Sequence, residues 1–259
     1  MRFGLTKWYL DCVTPAGDAA VAYAGRVDLG RLSVPYVEVL VSHATGSNTR
    51  WRCVTRRVEV GERSGAIVLA AAAPPIDGRW MPESAGLVAT LLDDGKGRID
   101  WRCVQPGGGA VLRLPDGMTV EGLGYAERLD MTLAPWTLPF DELRWGRFVG
   151  HTRNAVWIDW RGGGLEGRWM FVDAAPVEAR EVGRDRVAWT SGAVEIAPGR
   201  VLRDGLVGRS LLGPAAWCLP KRIARARETK WVAPATLRDD RHGHEPESGW
   251  VVHELVRWG

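Results

Sequence analysis

The 259-residue chain has no apolar run approaching the roughly 18–20 residues that a membrane-spanning helix requires. Its first residues, Met1-Arg2-Phe3-Gly4-Leu5-Thr6-Lys7, lead to Asp11 without the apolar segment of a secretory signal. There is no Asn-X-Ser/Thr acceptor. The four cysteines, Cys12, Cys53, Cys103 and Cys218, lie far apart and form no Cys-X-X-Cys pair. Cysteines so placed, in a chain without an export signal, read as reduced thiols and not as a disulfide or zinc framework. These absences predict a cytoplasmic protein with no transmembrane segment and four free thiols. Neither sign of charge is in excess: 34 basic against 31 acidic residues leave a net charge of +3, too little to imply a nucleic-acid partner. The densest basic stretch, Lys221, Arg222, Arg225, Arg227 and Lys230, has no interleaved aromatic before Trp231 and reads as a solvated edge or loop.

Several enzyme motifs are missing as well. Gly95-Lys96-Gly97 lacks the phosphate-cradling loop, and the Ser or Thr after the lysine, of a P-loop. Gly208-Arg209-Ser210-Leu211-Leu212 lacks the second glycine of a nucleophile elbow. Gly122-Leu123-Gly124 precedes a strand-like segment, which excludes a dinucleotide loop. His242-Gly243-His244-Glu245 sits in a polar, turn-rich stretch, where two histidines give no closed metal shell. No metal and no cofactor are expected.

Helical periodicity is scarce too. Residues 220–228 could form two helical turns, but their apolar residues make no stripe. Short runs rich in β-branched and aromatic residues recur instead: 7–14, 19–27, 34–43, 49–58, 66–72, 87–92 and 99–104. They continue at 110–114, 119–131, 144–150, 155–161, 168–172, 177–182, 186–190, 193–196, 230–237 and 250–258. Turns such as Pro15-Ala16-Gly17-Asp18 and Pro106-Gly107-Gly108-Gly109 separate them. The expected fold is all-β, with antiparallel barrels or curved sheets and helix below about a tenth of the chain, against a usual third.

Fourteen tryptophans are present. Such large, rigid, amphipathic side chains suit the walls of an apolar ligand cavity; they equally suit half-buried strands. Alternation sorts the faces. Tyr9 and Asp11 lie opposite Trp8, Leu10 and Cys12, and Tyr125, Glu127 and Leu129 share a face. His43 continues the apolar row Val37, Val39, Val41. The tetrapeptide Trp51-Arg52-Cys53-Val54 recurs as Trp101-Arg102-Cys103-Val104, placing Trp and Cys on one face of each strand and Arg on the other.

The densest stretch runs Gly122-Leu123-Gly124-Tyr125-Ala126-Glu127-Arg128-Leu129, Ala134-Pro135-Trp136-Thr137-Leu138-Pro139, Leu143-Arg144-Trp145-Gly146-Arg147-Phe148 and Ala155-Val156-Trp157-Ile158-Asp159-Trp160. It resembles the hydroxyneurosporene synthase (carotenoid 1,2-hydratase) family and its AttH-like relatives. Lys7-Trp8-Tyr9-Leu10-Asp11-Cys12 looks like that family's first strand, and Arg79-Trp80 and Ile99-Asp100-Trp101 fall where similar tryptophans are expected. Arg128 stands where those hydratases keep histidine, and the following Trp-Gly is missing. The likeness covers most of the first 172 residues.

It implies two lipocalin-like domains, residues 1–137 and 138–259, and an apolar ligand site between or beneath them. It also implies redox-neutral chemistry on polyenes, with Glu127 at the acidic position. The expected catalytic set is Glu127 as acid, with Tyr125, Asp11 and His43 as partners. The expected substrate-binding set is Trp136, Trp145, Arg147, Trp8 and Tyr9. A carboxyl in an apolar cavity holds its proton more tightly and can deliver it to an alkene or carbonyl. Pairing of Glu127 with Arg128, Arg144 or Arg147 would make it a structural group instead. Two functions therefore stand side by side. One is a cofactor-free hydratase, cyclase or isomerase acting on an apolar polyene, terpenoid or polyketide; the other is a non-catalytic carrier of a hydrophobic small molecule.

Overall fold

Strands take up 67% of the chain and helix 5%, so the expected all-β class and the low helix content both hold. The computed structural model describes residues 2–55, 57–212, 219–240 and 245–258; Cys218, His242 and His244 lie outside them. The chain divides into two compact units, Met1–Leu133 and Ala134–Gly259.

The first unit opens with β1 (Phe3–Val13), β2 (Ala19–Leu29), β3 (Leu32–Ser42), β4 (Asn48–Val54), β5 (Val58–Arg63) and β6 (Ala66–Ala72). β7 (Pro75–Pro82), β8 (Leu87–Asp93), β9 (Arg98–Gln105), β10 (Gly108–Arg113) and β11 (Thr119–Met131) follow. All pair antiparallel in one curved sheet of order β4-β3-β2-β1-β11-β10-β7-β6-β5, and the hairpin β8–β9 joins it through β11 alone. Two of these strands escape the sequence pattern: β5 runs on from the 49–58 segment, and β7 is bracketed by prolines. Within β7, Ile76, Gly78 and Trp80 nevertheless alternate inward against Asp77, Arg79 and Met81.

One face of this sheet is a continuous apolar core. Trp8, Leu10 and Cys12 meet Ala20, Ala22 and Ala24 of β2 and Val37, Val39 and Val41 of β3 there, with Leu69, Trp80 and Leu112. Each large apolar side chain removed from water contributes about 1.5–3 kcal/mol. The small residues of β2 let the bulky ones of its neighbours interlock. His43 departs from its expected place. β3 ends at Ser42, and the chain turns through hydrogen bonds from His43 N to Ser47 O and from Gly46 N to His43 O, each 2.8 Å. The apolar row stops at Val41, and the imidazole Nδ1 sits 3.8 Å from Asp18 Oδ1, partly exposed.

The second unit contains β12 (Glu142–Val149), β13 (Asn154–Arg161), β14 (Gly167–Val172), β15 (Ala175–Pro176) and β16 (Ala179–Val182). It continues with β17 (Arg186–Trp189), β18 (Gly192–Ile196), β19 (Arg200–Leu206), helices α1 (Val207–Leu212) and α2 (Lys221–Arg225), then β20 (Arg227–Asp239) and β21 (Glu247–Arg257). Its sheet order is β15-β14-β13-β12-β21-β20-β18-β17-β16. Its core gathers Phe148, Trp157, Met170, Val187, Trp189, Val194 and Leu237. The basic stretch is not one solvated segment: residues 221–225 form α2, while Lys230 lies fully buried in β20. It pairs with Glu254, and its ammonium sits 5.1 Å over the Trp145 ring. A buried lysine persists because that carboxylate neutralises it. No described helix is long and apolar enough to cross a membrane.

Candidate active site

On the face of the first sheet opposite its apolar core, register builds a polar, aromatic row. β1 pairs with β11 so that Tyr9 lies opposite Glu127 and Asp11 opposite Tyr125. β2 adds Tyr23 opposite Tyr9, and β3 adds Glu38 opposite Tyr23. The row Glu127, Tyr9, Tyr23, Glu38 thus crosses four adjacent strands, at the usual spacing of about 4.8 Å per strand. Cys103 of β9 continues it beyond Glu127. All five side chains are buried.

The Glu127 carboxyl is oriented by two neutral donors. Trp101 Nε1–H donates to Oε2 at 2.5 Å and the Tyr125 hydroxyl donates to the same oxygen at 2.6 Å. Tyr9 OH donates to Asp11 Oδ2 at 3.0 Å. The Tyr9 ring meets Tyr23 and Tyr125 edge-on, with centroids 5.5 and 6.0 Å apart. Burial, reinforced by the neighbouring Cys103 and Glu127, pushes the Tyr125 phenol well above its usual range. It therefore remains a hydrogen-bond donor at any working pH. Glu38, at the far end of the row, is held in an ion pair with Arg50.

Burial likewise pushes the Cys103 thiol well up, against a lowering hydrogen bond with Tyr125. A thiol held protonated is not a nucleophile. Cys12, Cys53 and Cys103 are free, Cys12 and Cys103 buried and Cys53 half-buried. Treatment of the native protein with a small disulfide reagent, followed by peptide mapping, should label Cys53 while Cys12 and Cys103 stay protected until denaturant is added. Prompt labelling of Cys103 would contradict its placement.

Two local features shape the strands around Glu127. A Cβ on Gly124 would lie 2.3 Å from Ala110 Cβ and 3.0 Å from Trp80 Cδ1. The bare glycine thus admits the Trp80 indole, whose Nε1–H donates to Asp11 O at 2.7 Å. The ladder between β9 and β11 also slips between Ala126 and Glu127, with Val104 as the extra residue. Such a bulge re-aims the neighbouring side chains. Beside it, Gln105 Nε2 donates to Gly124 O and Gly109 O, each at 3.2 Å, where β9 and β10 part company along β11.

Of the residues expected from sequence, Glu127, Tyr125, Tyr9 and Asp11 come together. Trp8 belongs to the opposite, apolar face, with the Arg128 guanidinium 5.9 Å over its ring. His43 stands at the end of β3, while the row crosses that strand at Glu38. Trp136 lies half-buried in a single 3₁₀ turn, Pro135–Thr137, of the second unit. Trp145 and Arg147 share a face of β12 there; Arg147 is fully buried and donates from Nη1 to Trp250 O at 2.6 Å. Arg128 pairs with Asp130, and Arg144 with Glu142. Sequence reasoning missed Tyr23, Trp101 and Gln105 as members of the cluster. The Trp-Arg-Cys-Val repeat was the available signal for Trp101, but its two copies differ in surroundings: Trp51 and Cys53 pack on the apolar core, Trp101 and Cys103 against the Glu127 cluster.

No protein-family model matches the chain, and no curated protein matches it. Its fold is that of a group of solved proteins built from two lipocalin-like halves. One is CghA, solved with Sch210972: TM-score 0.62 and 9% identity, covering 99% of this chain and 89% of that one. Another is the AttH-like protein of Nitrosomonas europaea, with TM-score 0.60 and 11% identity over 98% and 92% of the two chains. A third is kievitone hydratase from Nectria haematococca, with TM-score 0.58 and 9% identity over 98% and 89%. At such identities the likeness is one of fold.

Proposed function

We propose that this protein is a cofactor-free, redox-neutral enzyme, a hydratase, cyclase or isomerase acting on an apolar polyene, terpenoid or polyketide-like small molecule, with Glu127 as its general acid. The observation that carries the reading is the buried Glu127 carboxyl, oriented through Oε2 by the Trp101 indole and the Tyr125 phenol beside a Tyr9–Tyr23–Tyr125 aromatic cluster. The shared fold with a protein named as a hydratase supports it. Polyenes of the carotenoid type belong to the substrate class, following the resemblance of the Gly122–Phe148 region to carotenoid hydratases.

In this mechanism a proton held by the Glu127 carboxyl passes to one sp² carbon of the substrate. The π pair forms the new C–H bond, and the adjacent carbon becomes a carbocation. Electron-rich tyrosine faces stabilise that charge through their quadrupoles. The cation takes up water, which then sheds a proton, or it loses a neighbouring proton. That loss comes either directly or after a second double bond has attacked the cation and passed the charge to a new carbon. The proton released returns to Glu127. Each route regenerates the acid without electron transfer. Cys103 stays a thiol throughout, Tyr125 holds Oε2, and Asp11 positions Tyr9 through its hydroxyl.

Turnover of a panel of such compounds in deuterated water tests the reading. Apart from the label, the product should keep the composition of the substrate, or gain the elements of water, and carry a single non-exchangeable deuterium on carbon. A product differing by two hydrogens, or one formed without deuterium, would overturn acid-initiated redox-neutral chemistry. Tight binding with no conversion of any compound would assign the protein to the carrier class.

A further inference from the structure

The second unit holds a cleft that shares no residue with the Glu127 cluster. Register places Trp157, Gly146, His253 and Trp231 side by side across β13, β12, β21 and β20, on the face that carries the unit's core. A Cβ on Gly146 would lie 2.3 Å from Trp157 Cζ2 and 2.7 Å from His253 Cβ. The glycine therefore lets the Trp157 indole reach across the row toward the imidazole. On the far side the Trp231 and His253 rings lie 5.0 Å apart, tilted by 33°. Above Trp231, at 5.1 Å, stands the guanidinium of Arg184.

Together with Arg144 and Thr229 these side chains wall a cleft of about 370 Å³, at the small end of the range for small-molecule sites, about 300–1,000 Å³. Its three arginines differ in availability. Arg257 is committed to Glu142. Arg144 is committed to Glu142 and to Val182 O. Arg184 is exposed and forms no ion pair among the described residues. The imidazole is largely buried; that burial, with the positive charges of Arg184 and Lys230, pushes its pKa down to about 4, so it is neutral at physiological pH.

The Trp157, Trp231 and His253 rings give the cleft an aromatic wall, which favours a flat π system. A guanidinium at the rim favours an anion, carboxylate above all because its fork matches that geometry. Glu254 also lines the cleft but is neutralised by Lys230, so the charge left over at the rim is that of Arg184, which disfavours a cation. We infer that this cleft is a second ligand site, taking a small planar conjugated carboxylate with its ring against the aromatic wall and its carboxylate at Arg184.

Isothermal titration with 1-naphthoate and its neutral isostere 1-naphthamide tests the site. Naphthoate should bind at least about tenfold more tightly, the equivalent of one charge-assisted contact. Arg184→Gln, a change at an exposed position, should erase that advantage while leaving naphthamide binding unaltered. Glu127→Gln should leave both affinities as they are. Absence of naphthoate binding, equal affinity for the two probes, naphthoate affinity retained in Arg184→Gln, or its loss in Glu127→Gln would each overturn the assignment.

Discussion

Glu127→Gln should lower turnover by at least about 10²-fold, the usual contribution of a general acid, while changing ligand affinity by less than about 1 kcal/mol. Glutamine fills the same space and still offers an oxygen to Trp101 Nε1 and Tyr125 OH, so the hydrogen bonds at 2.5 and 2.6 Å have a partner to keep. What it lacks is a proton to give. Tyr125→Phe serves as the companion variant. Removing one donor from Oε2 should shift the pH dependence of turnover, because that bond favours the charged carboxylate, whereas a purely structural Tyr125 would leave the profile in place. Comparison of single-turnover rates and ligand titrations separates the two quantities. If Glu127→Gln turned over like the parent, another group would be the acid. If it unfolded the protein, Glu127 would be a structural group, since a buried polar group left without its partner costs about 1–3 kcal/mol, and more when charged.

The parent protein should also lose about 3 kcal/mol of stability between pH 6.5 and pH 4 on account of His253 alone. Its imidazole is buried, and its pKa falls from about 6.5 to about 4 on folding, through burial first and then the charges of Arg184 and Lys230. The unfolded chain therefore binds the proton more readily. Stability is complete above pH 6.5, declines as pH falls through the window, and levels off below about 4; at 1.36 kcal/mol per unit the loss is about 3 kcal/mol. Urea unfolding at pH 7, 5.5 and 4.5, for the parent and for His253→Gln, isolates this residue from the carboxylates that titrate in the same range. The two proteins should differ in pH dependence by that amount, and parallel curves would show that His253 does not resist protonation in the folded state.

Much of the first sheet can be read from the chain because its hairpins are local. The turn Pro15-Ala16-Gly17-Asp18 sets β1 against β2, and once Val13 meets Ala19, Tyr9 must meet Tyr23. Alternation likewise assigns Trp8, Leu10 and Cys12 to the dry face and Tyr9 and Asp11 to the other. The pairing of β1 with β11, more than a hundred residues later, carries no such local signal, yet it brings Glu127 to Tyr9. Nor does periodicity announce a bulge, and the Trp101–Glu127 bond depends on how β9 runs past one. His43 shows the opposite failure: an alternating row extended one step beyond the end of its strand. Trp8 was placed on the correct face, but that face is the packed interior.

The attachment of the hairpin β8–β9 has a consequence for how such a protein can diversify. It meets the sheet along the later half of β11 alone, while β10, β7, β6 and β5 continue the ladder from the earlier half. A change in the length or sequence of this hairpin reaches Trp101 and Cys103, and through them the setting of Glu127, without interrupting any rung between β10 and β5. Here the architecture divides one strand between two duties: its earlier stretch anchors the scaffold, and its later stretch holds an edge that can be rebuilt without disturbing that anchor.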